Sequence, residues 1–240
     1  MELTSLEYLQ GLFSLIFVLI TVSVGIIIIS KFFKVKKWEY LLIGIAWIGM
    51  ASAYYPDGIN FIMITLYGKI LSPLMYLLIA TAFLIPVSYL WLFVISYLIN
   101  IKHRKLVLVI FFVICAILEI TLLSLLVIDP RLVGTFLNPF TVEFSLFTQV
   151  LLLFALVVFV GFGFLFTKNA FNSEKPEIRL KGKFLLIAFV SFLVGAFLDI
   201  ILPITPLTVV ITRLILVSSS IEFYFGYILP SWGKKVFLKE

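Results

Sequence analysis

The sequence predicts an all-α, polytopic membrane protein, a single domain of 240 residues folded as a bundle of seven transmembrane helices. Hydrophobic residues make up 63% of the chain and charged residues only 12%, whereas a soluble domain is about 45–50% apolar and about 25% charged. The mean hydropathy is +1.25. Because so few charges could not cover a globular surface in water, a cytosolic enzyme is excluded.

The apolar residues fall into runs of about 20, the length of helix that crosses a bilayer. Between the second and third runs, residues 56–70 are polar and interrupted by glycine, so we interpret them as an outer loop that could hold a short helix. Pro86 predicts a bend in the third span, because proline has no backbone N–H to donate. The predicted spans are residues 8–30, 38–55, 71–99, 106–128, 142–167, 184–202 and 207–229.

The basic residues predict the orientation. All but three of the 18 Lys and Arg residues fall in the loops 31–37, 100–105 and 168–183 or in the C-terminal tail. Since cytoplasmic loops carry an excess of Lys and Arg, the N-terminus is expected outside and the C-terminus in the cytoplasm. We therefore expect a multi-pass protein of the cell membrane, with the lipid bilayer around it and its basic loops available to a cytoplasmic protein partner. The three exceptions are Lys69, Arg131 and Arg213.

Several function classes are excluded by what the chain lacks. Its net charge of +6 comes from the basic loops, and no basic patch interleaved with aromatic residues lies outside the spans, so no nucleic-acid partner is predicted. One cysteine, Cys115, and one histidine, His103, cannot supply a zinc site of the usual ligand number. No Ser–His or Asp–Asp constellation and no cofactor motif is present, so neither an enzyme nor a cofactor is predicted.

Short segments recur in the same order in the two halves of the chain, and spans 1–3 have the same orientation as spans 5–7. This pattern predicts a parallel three-plus-one-plus-three duplication, with the functional cavity between the halves. Chance similarity in a leucine-rich chain is the alternative. The matching segments are residues 13–15 with 144–146, Lys37 and 40–43 with Lys181 and 184–187, and 72–74 with 205–207.

Ionisable residues inside the spans are the main candidate functional groups, because each costs at least ~2.5–3.5 kcal/mol at the centre of a membrane helix. Asp199 in the sixth span and Arg213 in the seventh lie in the outer half, on either side of the tight turn between Pro203 and Pro206. An ion pair is predicted between them. It either pins the two helices together or forms a charged wall of an outward-facing pocket.

Two further acids lie in the spans. Glu119 is near mid-depth and has no partner that the sequence indicates, which makes it a functional-site hypothesis. Glu222 lies in the inner half, on the same flank of its helix as Ser218 and Ser219. There it is either satisfied by Lys183, or protonated and hydrogen-bonded, or part of a proton or ion relay. The candidate ligand-binding residues are Glu119, Asp199, Arg213, Gln149 and Tyr76.

Seven helices in this orientation resemble microbial rhodopsins in outline, but the seventh span has no lysine to form a Schiff base with retinal. Residues 176–183 (PEIRLKGK) and 221–230 (IEFYFGYILP) resemble uncharacterised seven-helix integral membrane proteins of archaea. That resemblance extends over nearly the whole chain. It implies the same topology, and no activity.

These observations favour a receptor- or sensor-like membrane protein with an outward-facing polar pocket for a small-molecule ligand. The alternative is a small-solute or proton-coupled transporter of three-plus-one-plus-three architecture, and a third option is a membrane assembly subunit without a ligand. A continuous polar path from Asp199 past Glu119 to Glu222 would favour transport. A closed inner half would favour a receptor.

Overall fold

The computed structural model describes residues 3–238, which are largely helical. The helices are α1 (Ser5–Val35), α2 (Trp38–Met50), α3 (Tyr55–Tyr67), α4 (Pro73–Thr81), α5 (Leu84–Leu98), α6 (Arg104–Ile128), α7 (Leu146–Phe171), α8 (Pro176–Ile201), α9 (Pro206–Tyr227) and α10 (Ser231–Leu238). The strands are β1 (Gly134–Asn138) and β2 (Thr141–Phe144), and two 3₁₀ turns cover Ser52–Tyr54 and Pro130–Leu132.

Six helical segments are long and apolar enough to cross a membrane: α1, α4 and α5 taken together, and each helix from α6 to α9. The prediction of a mainly helical multi-pass membrane protein is therefore confirmed. Helix α8 begins at Pro176, eight residues before the predicted sixth span. Proline is favoured in the first turn of a helix, so the basic residues after Pro176 join the helix that carries the apolar run.

Helices α2 and α3 form an interrupted helix that runs antiparallel to α1. Gly44 of α2 contacts Gly25 of α1 so closely that a Cβ atom at Gly44 would lie 2.7 Å from the Gly25 carbonyl oxygen, an approach that small residues permit. Further along, Gly58 of α3 packs on Leu15 of α1. Residues 56–70 were predicted to be an outer loop that could hold a short helix; the helix is α3 (Tyr55–Tyr67), and it packs along α1.

Helices α4 and α5 are separated by a break at Ala82 and Phe83. The break agrees with the bend predicted at Pro86, which has no N–H to donate to the carbonyl of Ala82, four residues earlier. The Ser52 hydroxyl donates to the carbonyl of Ala80 over 3.5 Å. The interruption between α2 and α3 therefore lies beside the one between α4 and α5.

The strands β1 and β2 form an antiparallel hairpin before α7, where the predicted fifth span had begun at residue 142. The backbone N–H of Phe140 donates to the Asn138 side chain, a local contact that stabilises turns, and Ser145 then caps α7. The Gln10 side chain donates to the carbonyl of Phe140 over 2.7 Å. The hairpin therefore lies beside the start of α1, and we call this the hairpin end of the bundle. The opposite end, with residues 36–37, 99–103, 172–175 and α10, is the basic end.

The helices pack in a ring. Helix α1 contacts α2 and α3, α2 contacts α5, α5 contacts α7, α7 contacts α8, α8 contacts α9, and α9 returns to α1. Helix α6 lies outside this ring, against α4 and α5. Its buried residues are Leu108, Cys115, Leu122 and Leu126.

Aromatic side chains fill the middle of the ring. Trp47 stacks on Phe223 with 3.7 Å between ring centroids, and the Trp91 indole donates to the carbonyl of Phe159 over 2.9 Å. Every helix of the ring except the short helix α3 contributes to this aromatic core. Its fully or nearly fully buried members are Phe17, Trp47, Trp91, Phe159, Phe189, Phe192 and Phe223.

One pair of matching segments in the two halves has the same structural role. Ser72 caps α4, whose first residue is Pro73, and Thr205 caps α9, whose first residue is Pro206. The other pairs differ. For example, Ser145 caps α7, whereas Ser14 lies inside α1.

Candidate functional site

A group of polar side chains, the Arg213 cluster, lies between the helices towards the hairpin end. It consists of Ser14 (α1), Tyr54 (3₁₀ turn), Asp57 (α3), Tyr76 (α4), Asp199 (α8), Thr212 and Arg213 (both α9). Most of its members are buried, although the surrounding helices are apolar.

The ion pair predicted between Asp199 and Arg213 is present, with 2.6 Å between Arg213 Nη1 and Asp199 Oδ1. Thr205 and Pro206 fix the start of α9, so Arg213 is two turns inside that helix. Asp199 lies two residues before the end of α8, on the other side of the turn. The Thr212 hydroxyl donates to the same Asp199 oxygen over 3.1 Å, which holds the carboxylate toward the guanidinium.

The other side of the guanidinium faces a second carboxylate. Arg213 Nε donates to the Ser14 hydroxyl over 3.1 Å, and that hydroxyl donates to Asp57 Oδ2 over 3.3 Å. Arg213 Nη2 is also 3.9 Å from Asp57 Oδ2. The second oxygen of Asp57 accepts a hydrogen bond from the Tyr76 hydroxyl. Ser14 therefore links the arginine to an acid on another helix.

Burial differs between the two acids. Arg213 and Asp57 are 3% and 4% exposed, and the guanidinium lies 4.6 Å from the centre of the Tyr54 ring, within the range of a cation–π contact. The Asp199 side chain is 25% exposed. Asp199 is therefore the charged member of the cluster that is most accessible from the protein surface.

The cluster contains more carboxylates than cations. With every group ionised, Asp57, Asp199 and Arg213 together carry a net charge of −1, and an unbalanced charge is costly in an apolar interior. Asp57 lies in the first turn of α3, where the helix dipole favours a negative charge. The donors from Ser14 and Tyr76 also stabilise the carboxylate. One more positive charge, from a proton or a bound cation, would balance the cluster.

The cluster joins the two halves of the chain. Ser14, Asp57 and Tyr76 come from helices before α6, and Asp199 and Arg213 from helices after it. Asp57 is the third residue after the break between α2 and α3. A polar contact at a helix break permits rearrangement more easily than one inside two continuous helices, because fewer backbone hydrogen bonds must change.

Two predicted ligand-binding residues lie elsewhere. Glu119 is on the buried side of α6, outside the ring. Its Oε2 atom is buried, and residues 3–238 provide that oxygen with no hydrogen-bond partner. Gln149 is exposed, and its side chain donates to the carbonyl of Phe144 at the start of α7. Neither residue belongs to the Arg213 cluster.

Glu222 also lies apart from the cluster, nine residues beyond Arg213 on α9. It accepts a hydrogen bond of 2.6 Å from Ser218, a residue predicted to lie on the same flank of the helix. Within the described part of the chain it forms no ion pair with Lys183. Its second oxygen is buried, with no partner among the same residues.

Sequence reasoning missed Asp57, Ser14 and Tyr54. Asp57 was assigned to a loop because its neighbours are polar and contain glycine, yet Pro56 just before it is a residue favoured in the first turn of a helix. Ser14 is a single hydroxyl in a long apolar helix. Its only signal was the local match with Ser145, which has a different role.

The polar path that would connect the two ends is interrupted. From Arg213 toward the basic end, the next polar contact between α1 and α9 is the hydrogen bond of 2.9 Å between Thr21 and Ser220. Phe17 and Leu216, both fully buried, lie between these two levels. The aromatic core continues toward the basic end. Buried apolar side chains therefore separate the cluster from the polar contacts nearer the basic end.

In residues 3–238, no group of three or more His, Cys, Asp or Glu side chains could hold a metal ion. The fold and the cluster together define a multi-pass helical membrane protein with a buried charged site between its two halves. Comparisons with protein-family models, curated proteins and solved structures gave no match to this chain. The resemblance to archaeal seven-helix proteins stays a prediction.

Proposed function

We propose that this chain is a receptor- or sensor-like protein of the cell membrane, in which the Arg213 cluster responds to a small ligand that arrives from the outside. The observation that carries the proposal is that two carboxylates from different halves, Asp57 and Asp199, share one buried arginine at a helix break. A site that only pinned helices together would need one carboxylate for one guanidinium.

The proposal includes a topology of seven crossings. In it, α2, the 3₁₀ turn and α3 together make the second crossing, which is supported by their antiparallel packing along α1. The hairpin end faces outside and the basic end faces the cytoplasm, as the Lys and Arg distribution indicates. Asp199, the most exposed of the charged cluster members, then lies on the outer side.

The apolar region between the cluster and the basic end supports a receptor over a carrier. Phe17, Trp47 and Phe223 belong to a continuous aromatic core between the cluster and the basic end. A ligand bound at the cluster therefore has no polar route onward. It can still act by changing how the two halves pack, because both halves contribute charged groups to the cluster.

The charge of the cluster indicates the chemistry of the ligand. Two carboxylates facing one guanidinium attract a cation, and the rings of Tyr54 and Tyr76 border the same site. Aromatic rings and carboxylates together bind organic ammonium groups. We therefore expect a small cation, with an amine as the favoured class.

Thermal melts of the detergent-purified protein test this function. The probes are sodium, ammonium, methylammonium and choline chloride at equal ionic strength, with glucose as the uncharged probe. A probe at 100 times its Kd stabilises the native state by about 2.7 kcal/mol, which raises the melting temperature by roughly 5–10 °C in a chain of this size. Wild type is compared with Asp199→Asn and, as a matched control outside the cluster, Glu119→Gln.

We expect an ammonium-type probe to raise the melting temperature of wild type and Glu119→Gln, and not that of Asp199→Asn. Equal shifts in all three proteins would mean that the cluster is not the binding site. If no probe raises the melting temperature and only Asp199→Asn melts lower than wild type, the ion pair has a purely structural role and the receptor proposal fails.

A small-solute or proton-coupled transporter is the second candidate, and the ring arrangement favours it. In this proposal α1–α5 and α7–α9 are two three-crossing units and α6 links them, which is supported by the contacts around the ring and by the place of α6 outside it. Broken helices beside a site between repeats are common in transporters. Uptake of the stabilising cation into proteoliposomes distinguishes the two functions: accumulation that Asp199→Asn abolishes indicates a carrier, and binding without uptake indicates a receptor.

A further inference from the structure

The basic end of the bundle contains a cavity of about 410 Å³ between the end of α7, the start of α8 and helix α10. It is far from the Arg213 cluster, which lies toward the other end of α8 and α9. Its walls combine apolar and basic side chains, namely Phe171, Pro176, Arg179, Leu180, Lys183, Phe237 and Leu238.

Arg179 and Lys183 are the charged groups of the cavity. They are four residues apart on α8, so their side chains project from the same face of the helix. Both side chains are exposed, and neither forms an ion pair with an acid in residues 3–238.

The nearest acid on α8 is engaged elsewhere. Glu177 binds Lys181 at 2.9 Å and Lys234 of α10 at 2.7 Å. At 100° per residue, Glu177 is about 200° around the helix from Arg179, so its carboxylate does not face the cavity. Among residues 3–238, the two cavity cations therefore have no acid as a partner.

Helix α10 supplies the apolar wall opposite these cations. The Phe237 ring packs edge-on against Phe184 at 5.2 Å, and Trp232 packs against Phe225 at 5.3 Å. These contacts hold α10 across the ends of α8 and α9, with Phe237 and Leu238 lining the cavity. The cavity thus presents two cations beside an apolar wall, where the helices leave their apolar runs.

We propose that this cavity binds an anionic phospholipid, with the headgroup phosphate on Arg179 and Lys183 and the start of an acyl chain against Phe171, Leu180 and Phe237. The charge complementarity and the apolar lining together favour a lipid over a free anion. Basic pockets between membrane helices on the cytoplasmic side are suited to such headgroups.

Native mass spectrometry of the purified protein with an equimolar mixture of phosphatidylglycerol and phosphatidylcholine tests the proposal. Wild type is expected to bind phosphatidylglycerol preferentially. In Arg179→Gln/Lys183→Gln, the phosphatidylglycerol preference should fall by about 30-fold, since each basic group near a membrane contributes about 1 kcal/mol and 1.4 kcal/mol is tenfold. The matched control Lys102→Gln/Lys105→Gln removes the same charge from another loop at the basic end, and its preference should stay within about twofold of wild type.

Equal losses in the two double variants would mean diffuse attraction to a basic surface, and no preference in wild type would mean no site; either result overturns the proposal. Inorganic phosphate added at 10 mM should leave phosphatidylglycerol bound, and its displacement would assign the cavity to a soluble anion. If the double variant does not fold, the single variants Arg179→Gln and Lys183→Gln should each lose about fivefold, and unchanged binding in both would contradict the assignment.

Discussion

The two ends of the bundle differ in where they hold their charges. At the hairpin end, Asp57 and Arg213 are buried between helices and contact one another through Ser14. At the basic end the charged groups are numerous and lie at the surface; Lys234 and Glu177, for example, form an ion pair in which both side chains are more than one-third exposed.

Burial determines which of these charges the fold depends on. A buried charge that loses its partner is left without water to solvate it, so breaking a buried pair is costly. An exposed pair is solvated whether or not it forms, so its net contribution is small. We therefore expect substitutions of the buried charges at the hairpin end to lower stability strongly. Most charge substitutions at the basic end should change stability little.

Arg213→Gln should have the largest effect on stability. It leaves Asp57 and Asp199 close together without their shared cation, and removal of one partner from a buried ion pair costs about 3–5 kcal/mol. In a chain of this size this lowers the melting temperature by roughly 6–20 °C, as measured by thermal melting in neutral detergent. Arg131→Gln removes an exposed arginine near the same end and should melt within about 2 °C of wild type. Similar losses in both variants would show that the burial of Arg213 is not decisive.

Ser14→Ala should have an intermediate effect. The substitution removes the hydroxyl that accepts from Arg213 and donates to Asp57, and hydrogen bonds to charged groups contribute about 1.5–3 kcal/mol. Ser23→Ala, on the same helix, removes an exposed hydroxyl that bonds only to the carbonyl of Leu19, and its cost should be below about 0.5 kcal/mol. Thermal melts of the two variants side by side measure the difference. If Ser23→Ala were the more destabilising, the link through Ser14 would be unimportant.

Lys234→Ala should have the smallest effect of the three. It breaks an exposed pair with Glu177, which keeps Lys181 as a second partner, so the expected loss is about 0–1 kcal/mol and smaller at high salt. Lys235→Ala, an exposed neighbour, is the control. Melting curves at 50 mM and 500 mM sodium chloride compare the two variants. A loss as large as that of Arg213→Gln would contradict the contrast between the two ends.

The sequence predicted much of this architecture because the signals were strong and local. Long apolar runs indicate membrane helices directly, and the tight turn between Pro203 and Pro206 was enough to place Asp199 beside Arg213. The break at Pro86 followed from the missing N–H of proline. Each of these inferences depends on residues close together in the chain.

The rest of the site depends on contacts between distant segments. Asp57 and Ser14 are 43 residues apart, and α3 shows its role only once it is packed along α1. Helices α2 and α3 are each shorter than a membrane span, so hydropathy alone did not join them. Glu119 stood out in the sequence as an isolated acid, but its helix lies outside the ring, which the hydropathy of a span cannot indicate.

We propose that the Arg213 cluster responds to a cation because it has one carboxylate more than its arginine balances. The most direct test is the melting temperature of wild type and Asp57→Asn with and without the ammonium-type probe that stabilises wild type best. Asp57→Asn keeps the size of the side chain and removes the excess charge, so we predict a fold of nearly wild-type stability and loss of at least three-quarters of the probe-dependent shift. A full shift in Asp57→Asn would contradict the account, because the cation would then bind without the excess carboxylate.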